Sequence, residues 1–530
     1  MLRQFCWLLC FGVGLAVGFA QSVHAQPKNS PKALSPQELA DQIDRAIADH
    51  WKTNKVTPAN PASDAEFLRR VYLDLAGRIP KVSETRTFLQ DDSEKKRERL
   101  IEALLESAQY VNHFSNTMGD LMVPQENNPR FAFFGRAFKQ WVRQKVEANT
   151  PYDEMVQELL IPERPKLGQP INRYNATSAF FQVNENKAEN VAAAVSRLFL
   201  GVRLECAQCH DHPFSSWKRD QFWEFAAFFA DTTTQRIIPN RPQTPVQSRD
   251  GKITIPGTQK TVMAKFLDGT EPDGKEEVRQ KLVRWMTSPE NPYFGRTAAN
   301  RIWAHFFGIG LIDPVDDEPT EDNPPSHPKL LKTLTEQFIA HDYDTKYLIR
   351  AIVLSKTYQL SSIQSHKSQS EPRLFARMSI RGLTPKQLFD SLCAATGFRE
   401  TTRIVNGFAY PNPNSVEQKF LGQFSSTDTP TEKQTSILQA LSLMNGTLVN
   451  NATSVENSQT LAAVINSPFF STEEKLETLY LATLTRYPTE REMSRLSEYV
   501  KTGGARKDSN AALADVFWAL LNSSEFTLNH

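Results

Sequence analysis

The sequence has few cysteines, little glycine and no excess of either charge. It carries 61 Lys and Arg residues against 60 Asp and Glu, so it offers no strong electrostatic attraction for nucleic acid. Only 22 of its 530 residues are glycine, whereas it has 33 phenylalanines and 32 prolines. Because 40% of the residues are hydrophobic, the chain can build a substantial core. We therefore expect a globular protein that does not bind nucleic acid.

Long hydrophobic runs are also missing, except at the N-terminus. Arg3 precedes an apolar stretch from Phe5 to Ala20, and small or modest side chains lead to Ala25. This is the three-part pattern of a secretory signal peptide, and its apolar part is short for a membrane span. We expect residues 1–25 to be cleaved after Ala25, leaving a periplasmic or extracellular protein with no stable membrane span. The alternative is an uncleaved N-terminal anchor.

The cysteine count excludes a disulfide framework. Two of the five cysteines, Cys6 and Cys10, lie in the predicted signal peptide, leaving Cys206, Cys209 and Cys393. Three is a poor number for paired cysteines, and a chain of this length can rely on its core for stability. The close pair Cys206 and Cys209 therefore needs an explanation of its own.

That pair belongs to a C-x-x-C-H motif, Cys206-Ala-Gln-Cys209-His210. The pattern is typical of c-type haem attachment, in which two thiols bond to the two vinyl groups and the histidine becomes an axial iron ligand. Attachment takes place outside the cytoplasm, which agrees with the predicted export. We expect nearby aromatic residues to form an apolar wall for the haem: Phe214, Trp217, Phe222, Trp223 and Phe225.

Two other interpretations of the motif remain open. Cys206, Cys209, His210 and His212 could bind zinc or copper, although four ligands within seven residues would be crowded and no second C-x-x-C follows. Alternatively, the two thiols could form a redox or structural disulfide in a helical binding or scaffold protein.

Further candidate ligands are scattered along the chain. The sixth haem ligand is not defined by any spacing; the candidates are Met118, Met122, His113 and His305. Residues 313–322 form an acidic loop that could bind calcium or be a solvated turn. Arg301 and His305 share one helical face, which favours, over a catalytic histidine, an Arg–carboxylate contact that packs two helices.

Helix-capping patterns, among them capping boxes at Ser35, Thr384, Ser471 and Thr489, and hydrophobic spacing predict a mainly α fold with two helical domains. The domains are expected at residues 35–231 and 276–530, after a disordered leader at 26–34. Between them, residues 232–275 form a linker rich in proline, threonine and glycine, with short strands near 252–256 and 260–263. Predicted helices include 187–200, which runs into the cysteine motif, and 431–445.

Several long stretches resemble known families. FLRRVYLDLAGRIP (67–80) and LECAQCHDHPFSSW (204–217) resemble the planctomycete cytochrome-like domain. NPYFGRTAANRIWAHFFGIGLIDPVDD (291–317) and DVFWALLNSSEFTLNH (515–530) resemble its usual companion, the planctomycete-specific domain. The resemblance implies an exported bacterial protein with a cytochrome-like role and a redox partner that remains unknown, in a family without a settled activity. Many relatives carry an additional haem-type domain, but this sequence has only one C-x-x-C-H.

Overall fold

The computed structural model describes residues 32–124, 129–161, 172–212, 215–232, 250–399, 403–405, 408–410, 415–424, 453–454 and 458–530. These residues are mainly α-helical, as predicted. Helices α1 to α21 are, in chain order, Pro36–Asn54, Asp64–Val71, Val82–Leu89, Lys96–Leu105, Ala108–Met122, Pro129–Glu147, Tyr152–Leu160, Asn172–Val183, Ala188–Val195, Arg219–Ala226, Val278–Thr287, Phe294–Phe307, Pro328–Ala340, Thr345–Leu354, Pro385–Thr396, Val416–Phe424, Gln459–Asn466, Thr472–Thr483, Glu490–Lys501, Ser509–Leu521 and Ser524–Thr527. The predicted signal peptide and the predicted helix at 431–445 lie outside the described residues.

Six short strands accompany the helices. They are β1 Lys252–Thr254, β2 Thr261–Met263, β3 Arg381–Gly382, β4 Arg403–Val405, β5 Phe408–Tyr410 and β6 Leu528–Asn529. They pair antiparallel as β1–β2, β3–β6 and β4–β5. The predicted strands in the linker are therefore confirmed as the β1–β2 hairpin. This hairpin is fixed to α10, because Lys260 pairs with Asp220 at 2.6 Å and Arg219 donates to the carbonyl of Pro256.

Helix starts follow the local chemistry of the sequence. Ser35, Thr384, Ser471 and Thr489 each accept a hydrogen bond from the third residue of their helix, whose side chain bonds back to the cap. Such reciprocal bonds satisfy main-chain donors that would otherwise lack partners at a helix start. The capping boxes predicted at these positions are confirmed.

Two helices end in a π-helical turn and a glycine in the left-handed region. α2 continues through Tyr72–Ala76 to Gly77, and α9 continues through Ser196–Leu200 to Gly201. A Cβ atom at Gly201 would lie 2.7 Å from Oγ1 of Thr297 on α12. The positive φ and this close approach both require glycine, so the chain can turn tightly against α12 just before the cysteine motif.

The hydrophobic cores do not follow the predicted domain boundary. The larger core includes residues from Leu39 to Met378, and therefore extends across the predicted linker. The smaller core includes residues from Leu388 to Phe526, together with Leu73 and Ile79 from the N-terminal half. This arrangement arises because α13 and α14, which follow the linker, pack against α1.

The last three residues of the predicted disordered leader, 32–34, contact helices of the C-terminal half. Gln337 on α13 donates to the carbonyl of Lys32 and accepts from the N–H of Leu34, at 3.0 and 2.9 Å. Tyr347 on α14 donates to the carbonyl of Leu34 at 2.9 Å. Residues 32–34 are therefore held on the helices of the C-terminal half.

Two adjacent arginines on α2 are fully buried. Arg69 donates to the carbonyls of Thr483 and Phe526, at 3.0 and 2.7 Å. Arg70 donates to the carbonyls of Tyr358 and Leu360, both at 2.8 Å. Burial lowers the pKa of Arg69 to about 10. Because a buried guanidinium is costly unless its donors are satisfied, these contacts fasten distant segments to α2.

Asp74 lies one turn further along and is 1% exposed. Its carboxylate accepts hydrogen bonds from Arg381 and Asn529, each at 2.8 Å, and from the hydroxyl of Tyr358 at 2.8 Å. Arg381 and Asn529 face each other in the β3–β6 pair. One carboxylate therefore joins α2 to the terminal strand and to the segment after α14.

Replacing Asp74 should strongly destabilise the fold. In Asp74→Ala, the Arg381 guanidinium and the Tyr358 hydroxyl lose their acceptor inside the protein, and we expect a loss of about 3–5 kcal/mol in the free energy of unfolding. Urea denaturation measures this loss. Asp49→Ala, which removes an exposed carboxylate of α1, should change stability by less than about 0.5 kcal/mol. Equal effects of the two substitutions would contradict the assignment.

Two histidines are buried in a way that opposes protonation. His327, before α13, lies 4.1 Å from His50 between ring centroids, and His113 on α5 lies 5.8 Å from His305. Burial, followed by the neighbouring imidazole, lowers the pKa of His327 and of His113 to about 3. Both imidazoles are therefore neutral in the folded protein at neutral pH.

This neutral state predicts a loss of stability in acid. Because each folded-state pKa lies below the ordinary value of 6.5, the stabilisation is complete above pH 6.5 and is lost as the pH falls towards 3. Each imidazole can contribute a slope of up to about 1.4 kcal/mol per pH unit. Urea unfolding at several pH values between 7 and 5 gives the free energy of unfolding at each pH. This free energy should fall less steeply with decreasing pH in His327→Gln than in the parent protein. An unchanged slope would contradict the prediction.

Candidate functional site

The cysteine motif forms a short turn at the protein surface. Residues Glu205–Gln208 make a 3₁₀ turn, in which side chains three positions apart lie on the same side. Cys206 and Cys209 are accordingly both exposed, whereas Ala207 between them is buried. The two thiols are free in the structure. The buried Trp223 on α10 fixes the turn, because its indole N–H donates to the carbonyl of Gln208 at 3.0 Å.

His210 follows this turn and is exposed. Its Nδ1 lies 2.7 Å from the carbonyl oxygen of Asp211, a geometry in which Nδ1–H donates and Nε2 keeps its lone pair. A second hydrogen bond of this kind fixes the orientation of metal-binding imidazoles. The main-chain N–H of Arg219 and then the Lys218 ammonium hold the pKa of Asp211 below its ordinary value. The first turn of α10 therefore stabilises the chain beside His210.

The aromatic residues near the motif do not form the wall that the sequence predicted. Trp217, Phe222, Trp223 and Phe225 are at most 8% exposed and belong to the larger hydrophobic core. Phe222 packs edge-to-face on Trp223, and Phe225 packs in the same way on Phe229. Phe214 lies outside the described residues. These four rings pack in the protein interior and stabilise the fold, so they do not cover the surface on which the two cysteines are exposed.

The structure does not assemble the alternative zinc or copper site. Over the ranges that the structure describes, no group of three or more His, Cys, Asp or Glu side chains is arranged to hold a metal ion. The main-chain N–H of His212 donates to the carbonyl of Trp217 at 2.9 Å. The turn thus presents the two thiols and the imidazole of His210, and the main chain of His212 is fixed by Trp217.

The acidic loop at 313–322 lies beside the motif, and two of its carboxylates form ion pairs with arginines of the protein. Asp316 pairs with Arg301 at 2.6 Å, and Asp317 pairs with Arg203 at 2.9 Å. Burial raises the pKa of Asp317, and Arg203 opposes this rise. Arg301 therefore makes the predicted contact with a carboxylate, but its partner lies on a loop and not on a second helix. Sequence reasoning did not connect this loop with the motif, because about a hundred residues separate them.

The candidates for a sixth haem ligand lie in other packing environments. His113 on α5 and His305 on α12 contact each other, and Phe114 contacts the ring of His305. Met122 is buried in the larger core, and Met118 packs against that core. These contacts assign the two imidazoles to an interface between helices.

Fold and site together define a mainly helical protein that presents two neighbouring thiols and an imidazole on one surface turn. Residues 42–234 match PSCyt2, a protein of unknown function (DUF1549), and residues 278–500 match PSD1, a protein of unknown function (DUF1553). The chain therefore carries a PSCyt2 domain followed by a PSD1 domain. Comparisons with curated proteins and with solved structures gave no match. Within the described residues, no helix has both the length and the apolar character needed to cross a bilayer.

The geometry of the turn predicts two reactive thiols. In reduced protein lacking any bound group, iodoacetamide should modify Cys206 and Cys209 faster than Cys393, which is only partly exposed on α15. Mass spectrometry of samples quenched at increasing times measures the three rates, and unfolded protein provides the reference. Equal rates for the three cysteines in reduced protein would contradict the prediction. In protein purified without reductant, protection of Cys206 and Cys209 that disappears on reduction would show a disulfide between them.

Proposed function

We propose that this protein works outside the cytoplasm as an electron-transfer protein with one haem c, attached to Cys206 and Cys209. One observation carries the proposal: two exposed thiols lie three residues apart at a single 3₁₀ turn, and the Nδ1 of the following His210 already has a hydrogen-bond partner. Export after cleavage at Ala25 would place these thiols in the compartment where such attachment occurs. A separate redox partner would deliver or accept the electrons.

The donors of the turn fit the chemistry of attachment. Cys206 and Cys209 would each add across one vinyl group, so that a carbon–sulfur bond forms and the thiol hydrogen moves to the neighbouring vinyl carbon. This addition needs no external oxidant. His210 would offer Nε2 to the iron, while its Nδ1–H remains bonded to the carbonyl of Asp211. The bound group would supply one-electron redox chemistry.

The surroundings of the turn limit how the protein could adjust a reduction potential. Burial, hydrogen bonding and the axial ligand are the usual means. Trp217, Phe222 and Trp223 are already part of the core, so they would not shield a haem from water. We infer that the axial imidazole and solvent exposure would contribute more to the potential than an apolar pocket.

The proposal is tested by producing the protein in a host that attaches haem c. We expect a Soret absorption band and an intact mass increased by one haem that survives denaturation. Cys206→Ser and Cys209→Ser should each lose one thioether bond, and the double variant should carry no covalent haem. His210→Ala should show the spectrum of a haem without its axial imidazole. Cys393→Ser is the matched control and should behave as the parent protein.

Other outcomes would distinguish the alternatives. Colourless protein of the mass expected without haem would overturn the proposal. If such protein contained zinc or copper that Cys206→Ser removed, a non-haem metalloprotein, such as an enzyme acting on extracellular polymers, would replace it. If it contained no metal and its two thiols were oxidised to each other, a scaffold with a Cys206–Cys209 disulfide would replace it.

A further inference from the structure

The segment after the cysteine motif is held by the PSD1 half of the chain. Trp217 is 8% exposed, and its indole N–H donates to Oε2 of Glu318 at 3.2 Å. Glu318 belongs to the acidic loop between α12 and α13, whereas Trp217 lies within the PSCyt2 match. This hydrogen bond joins residues 101 positions apart.

Trp217 transmits this contact to the motif through its main chain. Its carbonyl accepts the N–H of His212, two residues after His210, at 2.9 Å. On the other side of the motif, Trp223 donates to the carbonyl of Gln208 at 3.0 Å. The chain around Cys209 and His210 is therefore held on both sides by a tryptophan. The indole of Trp223 on α10 holds Gln208, and the main-chain carbonyl of Trp217, whose indole bonds to Glu318, holds His212.

The loop that carries Glu318 is itself firmly held. Asn300 on α12 donates to the carbonyl of Ile312 and accepts from its N–H, at 2.8 and 2.9 Å. Arg301, also on α12, pairs with Asp316, and Asn323 donates to the carbonyl of Asp313 at 2.9 Å. Glu318 can thus act as a fixed acceptor, because its loop is bonded to α12 at Ile312 and Asp316 and is closed by the bond from Asn323 to Asp313.

We propose that Glu318 is a positioning residue for the C-x-x-C-H segment, acting through Trp217. The carboxylate fixes the indole, the fixed Trp217 presents its carbonyl to His212, and the chain between Cys209 and His212 is thereby kept in one conformation. The PSD1 domain would then complete the site of the PSCyt2 domain. The consequence for a bound haem rests on the proposed function, whereas the positioning of the segment does not.

The test compares Glu318→Ala with Glu318→Gln, in which the amide oxygen can still accept the indole N–H. Without bound haem, hydrogen exchange at the His212 amide should be roughly fivefold faster in Glu318→Ala, as expected for the loss of one hydrogen bond. Alkylation of Cys209 should also change in rate. Glu318→Gln should restore both values towards those of the parent protein. Glu321→Ala, which removes an exposed carboxylate of the same loop, is the control and should change neither.

A structural effect on the whole protein would give a different result. If Glu318→Ala only lowered global stability, amides in α20 would exchange faster to the same extent as that of His212, and this would overturn the proposal. Unchanged exchange and unchanged alkylation in Glu318→Ala would also overturn it. In protein that carries haem, we further expect Glu318→Ala, but not Glu321→Ala, to shift the reduction potential.

If the parent protein carries no haem, the proposed function fails, and the exchange and alkylation results still decide the role of Glu318. If the parent protein carries haem while Glu318→Ala leaves exchange, alkylation and potential unchanged, the proposed function stands and the positioning role fails. The two proposals can therefore be separated.

Discussion

The buried guanidinium groups of Arg69 and Arg70 are the constraint on which the fold depends. Moving a charged group out of water costs several kcal/mol unless its donors are satisfied. In this protein the acceptors are main-chain carbonyls from the segment after α14 and from the C-terminal helices and strand. Asp74 adds a buried carboxylate that joins Arg381 and Asn529. The segment after α14 and the C-terminal elements therefore pack against α2, and Leu73 and Ile79 enter the smaller core beside them.

The same interlocking of the two halves places the candidate site at their junction. α12 follows the linker, yet it supports the tight turn at Gly201 through Thr297 and the acidic loop through Asn300 and Arg301. The cysteine turn lies between this support and α10. Sequence families divide the chain near residues 234–278, whereas the larger hydrophobic core crosses that division. The two domains can thus be separated in the sequence, but in the folded chain they contribute residues to the same hydrophobic core.

Local features of the fold could be predicted well from the sequence. The capping residue Ser35, the helix that leads into the motif and the β1–β2 hairpin all depend on residues a few positions apart. Features that depend on distant residues could not be predicted in this way. The aromatic residues near Cys209 have the composition of an apolar wall for a ligand, but in the structure their side chains lie in the hydrophobic core. In the same way, the acidic loop has the composition of a cation site, but Arg203 and Arg301 use its carboxylates.

The sequence by itself determined the helical class, the spacing of Cys206, Cys209 and His210, and the order of the PSCyt2 and PSD1 domains. The spacing of a motif is a local property, since one 3₁₀ turn brings residues i and i+3 to one side. Only the tertiary structure decided that both thiols reach the surface while the neighbouring rings are buried. It also decided that Glu318 lies beside Trp217. These outcomes depend on how helices from both halves pack, and that packing is set by long-range burial of apolar surface and of paired charges.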